Sequence, residues 1–410
     1  MFTKTVWPLS RFQDLKVTVM GLGLFGGGKG ATEFFCRHGA RVTVTDKRSP
    51  AILESTVKAL EQLPVRWVLG EHREEDFAQA DLVIPSPAVP RSSPLLAIAR
   101  QHGVPLDTEM NLFFKYCAGK ICGVTGSNGK TTTTSLIGAM AAERWPAVRV
   151  GGNLGKSLLP EVGSIRAEEW VVLELSSFQL EDMACIPRRP EISVVTNVSP
   201  NHLDRHGSYE SYLDAKRQIL ASAGEPNISV LNAEDALTRS WRDSGRRTLF
   251  FGRTGRILPG AAGVWIDEDR GDVVLSQRGE VTPLFHRREL ALEGTFNVMN
   301  AAAAAAAASA MGVAPKEIAK AVGKFCAVEH RLEVVASHDG ITYLNDSIAT
   351  TPESTIAALE ALGPNAVVIC GGSSKGSSFH RLGQVLSCFW GRPWRRRRGL
   401  SAVSGPPPWA

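Results

Sequence analysis

Two glycine-rich loops, each following a short apolar segment and preceding a helical pattern, constrain the fold of this chain most strongly. The first loop spans 21–26 and follows a strand-like segment at 16–20, and the second lies within 123–136 after a similar segment. Further strand patterns, separated by helical patterns, occur at 41–46, 81–84, 170–177 and 191–197, and residues 245–290 are rich in short strand-like pieces such as TLFF, GVWI and DVVL. Strands that alternate with helices are typical of βαβ units. The sequence therefore predicts an α/β fold built on parallel sheets.

The strand–helix pattern restarts twice along the chain, which predicts three domains. A chain of 410 residues has room for two or three domains. The restarts give domains at 1–115, 116–328 and 329–410. In the third, strands at 341–346 and 366–372 flank a helix at 353–362, and periodicity is lost from about residue 387. Two clear strands bury too little apolar surface for a complete domain, so the third domain is predicted to be truncated.

The composition is that of a globular protein of a reducing compartment. Hydrophobic residues make up 43% of the chain and charged residues 21%. Neither a run long and apolar enough to span a membrane nor a secretory signal is recognisable, and the alanines at 301–308 form a short, weakly apolar helix pattern. The seven cysteines show no metal-binding spacing. These features predict a cytoplasmic protein that does not act on membranes.

The net charge of +5 is concentrated in the C-terminal tail. Seven Lys and Arg residues and no acid lie from Lys375 onward, which leaves residues 1–374 at a net charge of −2. The arginines at 395–398 form a short run, which is weak support for nucleic-acid binding. Because acidic residues and periodicity disappear together, we interpret the tail as the product of a shifted reading frame. No nucleic-acid partner is predicted.

The second glycine loop has the features of a phosphate-binding loop. Its GxxGKT spacing, from Gly126 to Thr131, is shorter than that of a standard phosphate loop, but a strand precedes it and a helix follows. Such a loop directs backbone N–H groups at phosphate oxygens. Lys130 would neutralise the β- and γ-phosphates, and the Thr131 hydroxyl would reach Mg²⁺. The alternative is an ordinary glycine turn with an exposed lysine.

The first glycine loop has the GxGxxG spacing of dinucleotide-binding folds. It spans Gly21–Gly26, and Asp46 ends the next strand 20 residues later. This pattern favours a pyrophosphate at the helix N-terminus with an acid near a sugar or base. An NAD cofactor, a uridine diphosphate and a tight turn without a ligand all remain compatible with it.

Four polar residues of the central segment follow predicted strands or lie on a helix. Glu174 ends one strand, His202 and Asp204 follow the next, and Lys216 lies on a helix. The carboxyl ends of parallel strands meet at one edge of a sheet, where an acid and a histidine could hold Mg²⁺ against phosphates. Taken singly, Glu174 could cap a helix, His202 could be a loop residue, and Lys216 is best interpreted as a solvated helix lysine.

Several ordered segments resemble the Mur ligases of bacterial cell-wall synthesis, and in particular their D-glutamate-adding branch. They include GLGLFG, SPAVP at 86–90, GVTGSNGKTTTT, GGNLG at 151–155, ELSSFQLE at 174–181, NHLDRH with Lys216, GTFNVMNAAAA, EHRLE and NDSIATTPEST. Together they span residues 16–376. The resemblance implies a Rossmann-like N-terminal domain, a central P-loop ATPase domain and a truncated Rossmann-like C-terminal domain. It also implies ATP-dependent addition of D-glutamate to UDP-N-acetylmuramoyl-L-alanine through an acyl phosphate, by a monomer.

The resemblance also implies roles for individual residues. The residues expected to bind the UDP-substrate are Leu24, Phe25, Asp46, Ser86, Asn153 and His202. Those expected to bind ATP are Gly126, Ser127, Asn128, Gly129, Lys130, Thr131, Thr132, Asn297, Asn300, Arg331 and Asp346. Two Mg²⁺ ions are expected, one on Thr131 and Glu174 and the other on His202 and a carbamylated Lys216. The catalytic set would be Lys130, Glu174, His202, Lys216 and Arg331, and Lys375 would bind D-glutamate.

The chain departs from the family pattern at three places. Ile348 stands where many relatives have a lysine, and Phe296 stands where a histidine is usual. The tail lacks recognisable counterparts of the remaining D-glutamate-binding residues. An alternative prediction is therefore a degenerate ligase that binds nucleotide without turnover, and a further alternative is an NAD-dependent oxidoreductase built on the first glycine loop.

Overall fold

The computed structural model describes most of the chain. The described residues are 2–23, 26–221, 227–243, 245–254, 261–292, 294–325, 332–347, 349, 351–363, 365–371 and 378–389. Within them, no helix combines the length and apolarity needed to cross a membrane.

The N-terminal part is a four-stranded parallel sheet covered by helices. Its strands are β1 (Lys16–Met20), β2 (Arg41–Asp46), β3 (Val65–Leu69) and β4 (Leu82–Pro85), in the order β3-β2-β1-β4. Its helices are α1 (Gly27–Arg37), α2 (Pro50–Lys58), α3 (Glu75–Ala78), α4 (Pro94–Gln101) and α5 (Glu109–Tyr116). The strand order reverses beside β1, and ligands of such sheets bind in the crevice at this reversal. The first glycine loop leaves β1 at that point.

The central part contains a nine-stranded sheet. Its strands are β5 (Lys120–Thr125), β6 (Val148–Gly152), β7 (Trp170–Glu174), β8 (Ile192–Val195), β9 (Ile228–Asn232), β10 (Arg247–Arg253), β11 (Gly263–Ile266), β12 (Asp272–Gln277) and β13 (Glu280–His286). The order is β13-β12-β11-β10-β9-β8-β5-β7-β6, with antiparallel pairing confined to the pairs that β12 makes with β11 and β13. The reversal of strand order lies at β5, from which the phosphate loop emerges.

Among the described residues of the central part, seven helices pack around this sheet or follow it. They are α6 (Lys130–Ala142), α7 (Ser177–Met183), α8 (Leu203–His206), α9 (Tyr209–Arg217), α10 (Ala236–Ser240), α11 (Thr295–Ala310) and α12 (Pro315–Lys324). The alanines at 301–308 are fully buried on α11, which packs against α6 and the strands β9 to β11. Small side chains allow this close approach, so the alanine run is a packing surface.

The strands at the centre of the nine-stranded sheet are buried on both faces. Val171 and Leu173 of β7 face one hydrophobic core, whereas Val172 of the same strand and Val124 of β5 face the other. Parallel strands covered by helices on both sides have continuous apolar sequences, which explains why these segments were recognisable as strands. The sequence analysis missed β3, β6, β9 and β13, whose apolar patterns are shorter or more mixed.

The C-terminal part is less regular than predicted. It contains the antiparallel hairpin β14 (Glu333–His338) and β15 (Ile341–Asn345) and the helices α13 (Pro352–Leu362) and α14 (His380–Phe389). The helix predicted at 353–362 is confirmed, but the strand predicted at 366–372 is wrong for residues 366–371, which have no strand structure. Val367 and Ile369 there are 89% and 99% exposed. A strand requires a partner for its backbone hydrogen bonds, and none of the described strands lies beside this segment. The shifted-frame interpretation concerns residues that lie largely outside the described part.

Candidate active site

The phosphate loop connects β5 to α6 in a conformation that requires glycine at two positions. Gly126 and Gly129 have φ angles of +154° and +81°. A Cβ atom would lie 1.9 Å from Thr196 Oγ1 at Gly126 and 2.2 Å from Asn300 Oδ1 at Gly129. The two glycines therefore let the loop pass between the end of β8 and helix α11. The GxxG spacing reflects this confinement.

Residues at the end of β8 hold the phosphate loop. The backbone N–H groups of Ser127 and Asn128 donate to the backbone oxygen and to Oδ1 of Asn197, both at 2.9 Å. The Thr196 hydroxyl and the Asn197 amide donate to the Asn128 carbonyl oxygen at 2.6 and 3.0 Å. These four hydrogen bonds fix the loop before any ligand binds. Sequence reasoning did not identify Thr196 or Asn197 as supporting residues, although both end a recognised strand.

Two lysine amines converge on the same carbonyl oxygen of the loop. Lys130 Nζ lies 3.1 Å and Lys216 Nζ 2.7 Å from the Gly126 oxygen. Lys130 also donates to the Ser127 oxygen at 2.9 Å, and Lys216 lies 3.3 Å from Thr125 Oγ1. This concentration of amines beside the N-terminus of α6 is suited to an anion such as a triphosphate.

Lys216 is buried, which corrects the single-residue interpretation of it as a solvated helix lysine. Its relative exposure is 2%, and its amine lies 4.9 Å from the centre of the Tyr212 ring. Burial lowers the pKa of Lys216 well below its ordinary value; the nearby Lys130 lowers it further and Glu174 opposes the shift. Tyr212 and Lys216 are one helical turn apart on α9, so the same face of that helix meets the phosphate loop.

The oxygen ligands predicted for one Mg²⁺ ion lie in contact with each other. Glu174, at the end of β7, is 2% exposed. Its Oε2 accepts a hydrogen bond from Thr131 Oγ1 at 2.7 Å, and its Oε1 accepts one from Asn153 Nδ2 at 2.9 Å. A buried carboxylate beside a hydroxyl at the phosphate loop is a donor set that fits Mg²⁺. Asn153, expected on the UDP-substrate side, is placed against Glu174.

His202 is the residue before helix α8, and its backbone has a left-handed conformation. It precedes α8 with a φ of +53°, and its ring stands edge-on to the Phe178 ring at 5.0 Å. The Phe178 ring also stacks on the ring of His206, with 5.1 Å between the ring centres. The Nε2 atom of His206 lies 2.9 Å from Ser177 Oγ. Burial is the main cause of a lowered pKa of His206. Sequence reasoning did not select His206. The joint ligation of a second ion by His202 and Lys216 stays a prediction.

A cavity of about 700 Å³ extends from the phosphate loop to the C-terminal part. Asn128 and Gly129 line its inner end, Phe296 and Asn300 of α11 line one wall, and Asp346 lies on the C-terminal side. This volume is in the range of small-molecule sites. Four of the eleven residues predicted to bind ATP therefore line this cavity, namely Asn128, Gly129, Asn300 and Asp346.

Two further residues predicted to bind ATP lie near this cavity, and three arginines that were not predicted line it. Asn297 lies behind the wall, where its Oδ1 accepts a hydrogen bond from Asn300 at 3.2 Å. Thr132 is buried in the first turn of α6. Arg253, Arg287 and Arg288 also line the cavity, and the sequence analysis did not select them.

The first glycine loop lies beside its predicted acid. The Gly23 N–H donates to Asp46 Oδ2 at 3.2 Å, and the Arg48 N–H donates to Asp46 Oδ1 at 2.9 Å. A Cβ atom at Gly21 would lie 2.9 Å from Ser86 Cβ. The loop after β1 therefore lies between Asp46 at the end of β2 and Ser86 just after β4.

The loop at 152–157 joins the two glycine-rich loops. A Cβ atom at Gly26 would lie 2.5 Å from the Gly155 oxygen, and one at Gly30 would lie 2.3 Å from Ser157 Oγ. Ser157 donates to the carboxyl of Glu109, whose pKa burial raises to about 7. Since Asn153 of the same loop contacts Glu174, one short segment connects the phosphate loop with helix α1.

Several residues named in the sequence analysis lie outside the described part of the chain. They are Leu24, Phe25, Arg331, Ile348 and Lys375. Their roles stay predictions.

Comparisons with known proteins agree with this geometry. Residues 15–107 match the Mur ligase MurD-like N-terminal domain, and residues 124–308 match the Mur ligase middle domain. A UDP-N-acetylmuramoylalanine–D-glutamate ligase from Roseiflexus sp. is 42% identical over 380 residues, covering 91% of this chain and 81% of that protein. The enzyme of the same name from Acidobacterium capsulatum is 39% identical over 373 residues, covering 91% and 79%.

A solved structure supports the fold. The UDP-N-acetylmuramate–alanine ligase MurC from Thermotoga maritima has a TM-score of 0.56 at 22% identity, covering 85% of this chain and 77% of that one. The α/β architecture predicted from the sequence is thereby confirmed. Because relatives 42% and 39% identical match over 91% of the chain and two Mur ligase domain models match residues 15–107 and 124–308, this chain belongs to the Mur ligase family.

Proposed function

We propose that this protein uses ATP to join D-glutamate to UDP-N-acetylmuramoyl-L-alanine in peptidoglycan synthesis. The observation that carries the proposal is the meeting of Lys130, Lys216, Thr131 and Glu174 at one edge of the central sheet, beside a cavity of about 700 Å³. The relatives that match over most of this chain are named as UDP-N-acetylmuramoylalanine–D-glutamate ligases, which supports the proposal.

The UDP-substrate is assigned to the first glycine loop. A diphosphate at the N-terminus of α1 would lie beside Asp46 and Ser86, and the 152–157 loop would direct the substrate toward Glu174. An NAD-dependent oxidoreductase is disfavoured because it leaves the second loop and its two lysines without a use. Membership in the Mur ligase family points the same way.

The uphill formation of an amide is driven in two steps. A carboxylate oxygen of the alanyl substrate attacks the γ-phosphorus of ATP, and the bond to ADP breaks, leaving an acyl phosphate. The amine of D-glutamate attacks the acyl carbon and loses a proton, and inorganic phosphate departs. The protein positions the reactants and compensates charge. Lys130 would compensate the negative charge of the phosphates, and the phosphate loop would hold the γ-phosphate in line with the attacking oxygen.

The same residues support the proposed metal ions. Mg²⁺ would neutralise phosphate charge when bound. Thr131 and Glu174 would hold one ion, and His202 with Lys216 a second. We propose that the Lys216 amine adds CO₂ with release of a proton, because a carbamate would place anionic oxygen ligands where a buried amine now lies. Incorporation of ¹³C-bicarbonate, read by NMR and absent in Lys216→Ala, tests this step.

The C-terminal part is proposed to complete the site. Asp346 lines the nucleotide cavity, and Arg331 and Lys375 are proposed to reach the γ-phosphate and D-glutamate. The protein is proposed to act as a cytoplasmic monomer on small molecules, without a nucleic-acid or membrane partner.

The decisive experiment measures phosphate release and ligated product with ATP and UDP-N-acetylmuramoyl-L-alanine, with and without D-glutamate. Product that requires all three substrates and disappears in Lys130→Ala is the expected result. Nucleotide binding without D-glutamate-dependent product would instead establish the degenerate ligase.

A further inference from the structure

The first turn of helix α13 contacts the phosphate loop directly. Ser354 Oγ donates a hydrogen bond to Asn128 Oδ1 at 2.8 Å, and Thr351 Oγ1 lies 3.4 Å from the same oxygen. The two partners are 226 residues apart in the chain. The side chain of a phosphate-loop residue is therefore held by the C-terminal part of the protein.

Asn128 is the point where two parts of the molecule hold one loop. Its backbone N–H and carbonyl are bound by Thr196 and Asn197 at the end of β8. Its side-chain oxygen is bound by the C-terminal helix, and both Asn128 and Ser354 line the nucleotide cavity. A shift of α13 would therefore move the side chain of a residue whose backbone shapes the loop.

The Ser354 hydroxyl can be separated from the stability of helix α13. Thr351 is the N-cap residue, and its side-chain oxygen accepts the hydrogen bond from the Ser354 backbone N–H at 3.2 Å. Replacing Ser354 by alanine leaves that backbone donor in place. The cap therefore remains, whereas the Ser354 hydrogen bond to Asn128 and the 3.0 Å hydroxyl contact between Ser354 and Thr351 are lost. Only the longer contact from Thr351 then reaches the Asn128 side chain.

We propose that Ser354 is a positioning residue that couples the docking of α13 to nucleotide binding through the Asn128 side chain. The inference rests on the proposed use of ATP at this loop. Because binding couplings are reciprocal, bound nucleotide also favours the docked position of α13. The C-terminal part thus influences the ATP site through the first turn of α13, without a hydrogen bond from any later part of the chain to Asn128 among the described residues.

A double-mutant cycle on the full chain tests the proposal, with the affinity for ADP and Mg²⁺ measured by calorimetry. Ser354→Ala is expected to weaken ADP binding roughly fivefold in the wild-type background, the effect of one lost hydrogen bond. In the Asn128→Ala background the same substitution is expected to change affinity less than 1.5-fold, which is roughly the limit for an absent interaction. Ser354→Thr keeps the hydroxyl and is expected to restore affinity to within about twofold.

Thr355→Ala is the matched control, because Thr355 lies on the same helical turn and its hydroxyl bonds within the helix, to the Thr351 oxygen. It should bind ADP like the wild type. Equal effects of Ser354→Ala in both backgrounds, no effect in either, or an equal loss in Thr355→Ala would each overturn the coupling. If the wild-type protein binds ADP but forms no ligated product, the proposed function fails and the cycle still decides the coupling. If it binds no ADP, both proposals fail.

Discussion

The two glycine-rich loops have the same backbone arrangement but different side chains around it. Each leaves a parallel strand at the point where the strand order of its sheet reverses, and each precedes a helix. The first is bonded to a carboxylate, Asp46, whereas the second meets two amines, those of Lys130 and Lys216. We propose that both loops bind anions and that the side chains from neighbouring elements select different ligands at each.

The difference has a physical basis in the total charge of the ligand. A triphosphate needs cations in addition to the helix N-terminus, since several negative charges lie close together. A diphosphate that is linked to sugars carries less negative charge than a triphosphate. Its sugar hydroxyl groups can donate hydrogen bonds to a carboxylate. The comparison is therefore open to direct tests by substitution at each loop.

The largest effect is expected for Lys130→Ala. Removing the amine takes away one charge that is proposed to compensate the phosphates, and ligase turnover should fall roughly a thousandfold, as for other charge-stabilising groups in phosphoryl transfer. Product formation under saturating substrates measures this. Lys29→Ala is the matched control at the first loop, because Lys29 pairs with Glu33 at 3.8 Å on α1 and should matter less than threefold. Comparable losses in the two variants would contradict the assignment of the loops.

Glu174→Gln should cause the next largest loss. The amide keeps the shape of the contact with Thr131 but removes the negative charge that suits Mg²⁺. Turnover is expected to fall roughly a hundredfold, and the Mg²⁺ concentration for half-maximal activity to rise at least about tenfold. Titration of activity with Mg²⁺ gives both values. An unchanged Mg²⁺ requirement would remove Glu174 from the proposed ion site.

Asp46→Asn should affect the first site alone. Loss of the carboxylate weakens its two backbone hydrogen bonds and its contact with a substrate hydroxyl, so KM for the UDP-substrate should rise roughly tenfold. KM for ATP and the Mg²⁺ requirement should stay within about twofold. Steady-state kinetics with each substrate varied in turn separates the two sites. A rise in both KM values would mean that the loops do not act independently.

The last prediction concerns stability and the carboxyl of Glu109, which accepts a hydrogen bond from Ser157 of the 152–157 loop. The pKa of Glu109 is raised to about 7 by burial, above its ordinary value of 4.5, so the folded protein holds this proton more tightly than the unfolded chain. Stability from this group is present below pH 4.5, declines as pH rises toward 7, and is constant above that. Glu109→Gln should therefore be more stable than the wild type at pH 8 by up to about 3 kcal/mol, and close to it at pH 4.5.

Urea unfolding at pH 4.5, 6 and 8 measures the effect of Glu109→Gln. A parallel shift of Glu109→Gln at all three pH values would show that the carboxyl does not titrate in this range.

The strength of sequence reasoning differed between regions for reasons that the structure makes clear. Segments such as 170–174 and 192–195 were recognisable because strands buried on both faces need uninterrupted apolar residues. The strand predicted at 366–372 has the same composition, yet residues 366–371 have no strand partner among the described strands. Composition indicates the capacity to form a strand, and the neighbouring strand decides whether it does.

The candidate site shows the same division. Lys130, Thr131 and Glu174 were identified because they lie in a local motif or at a strand end. Lys216 was ambiguous by itself, since its burial depends on the packing of α9 against the phosphate loop. Thr196, Asn197 and His206 were missed because their importance lies in contacts with distant residues.

The sequence by itself determined the fold class, the family and the position of both glycine loops, because strands, tight turns and helix starts are local properties of the chain. The tertiary structure decided which side chains surround those loops, and with them the charge of each site. The contact of Ser354 with Asn128, across 226 residues, is the clearest example. Local chemistry favours each element separately, whereas such a pair forms only when packing brings two distant segments together.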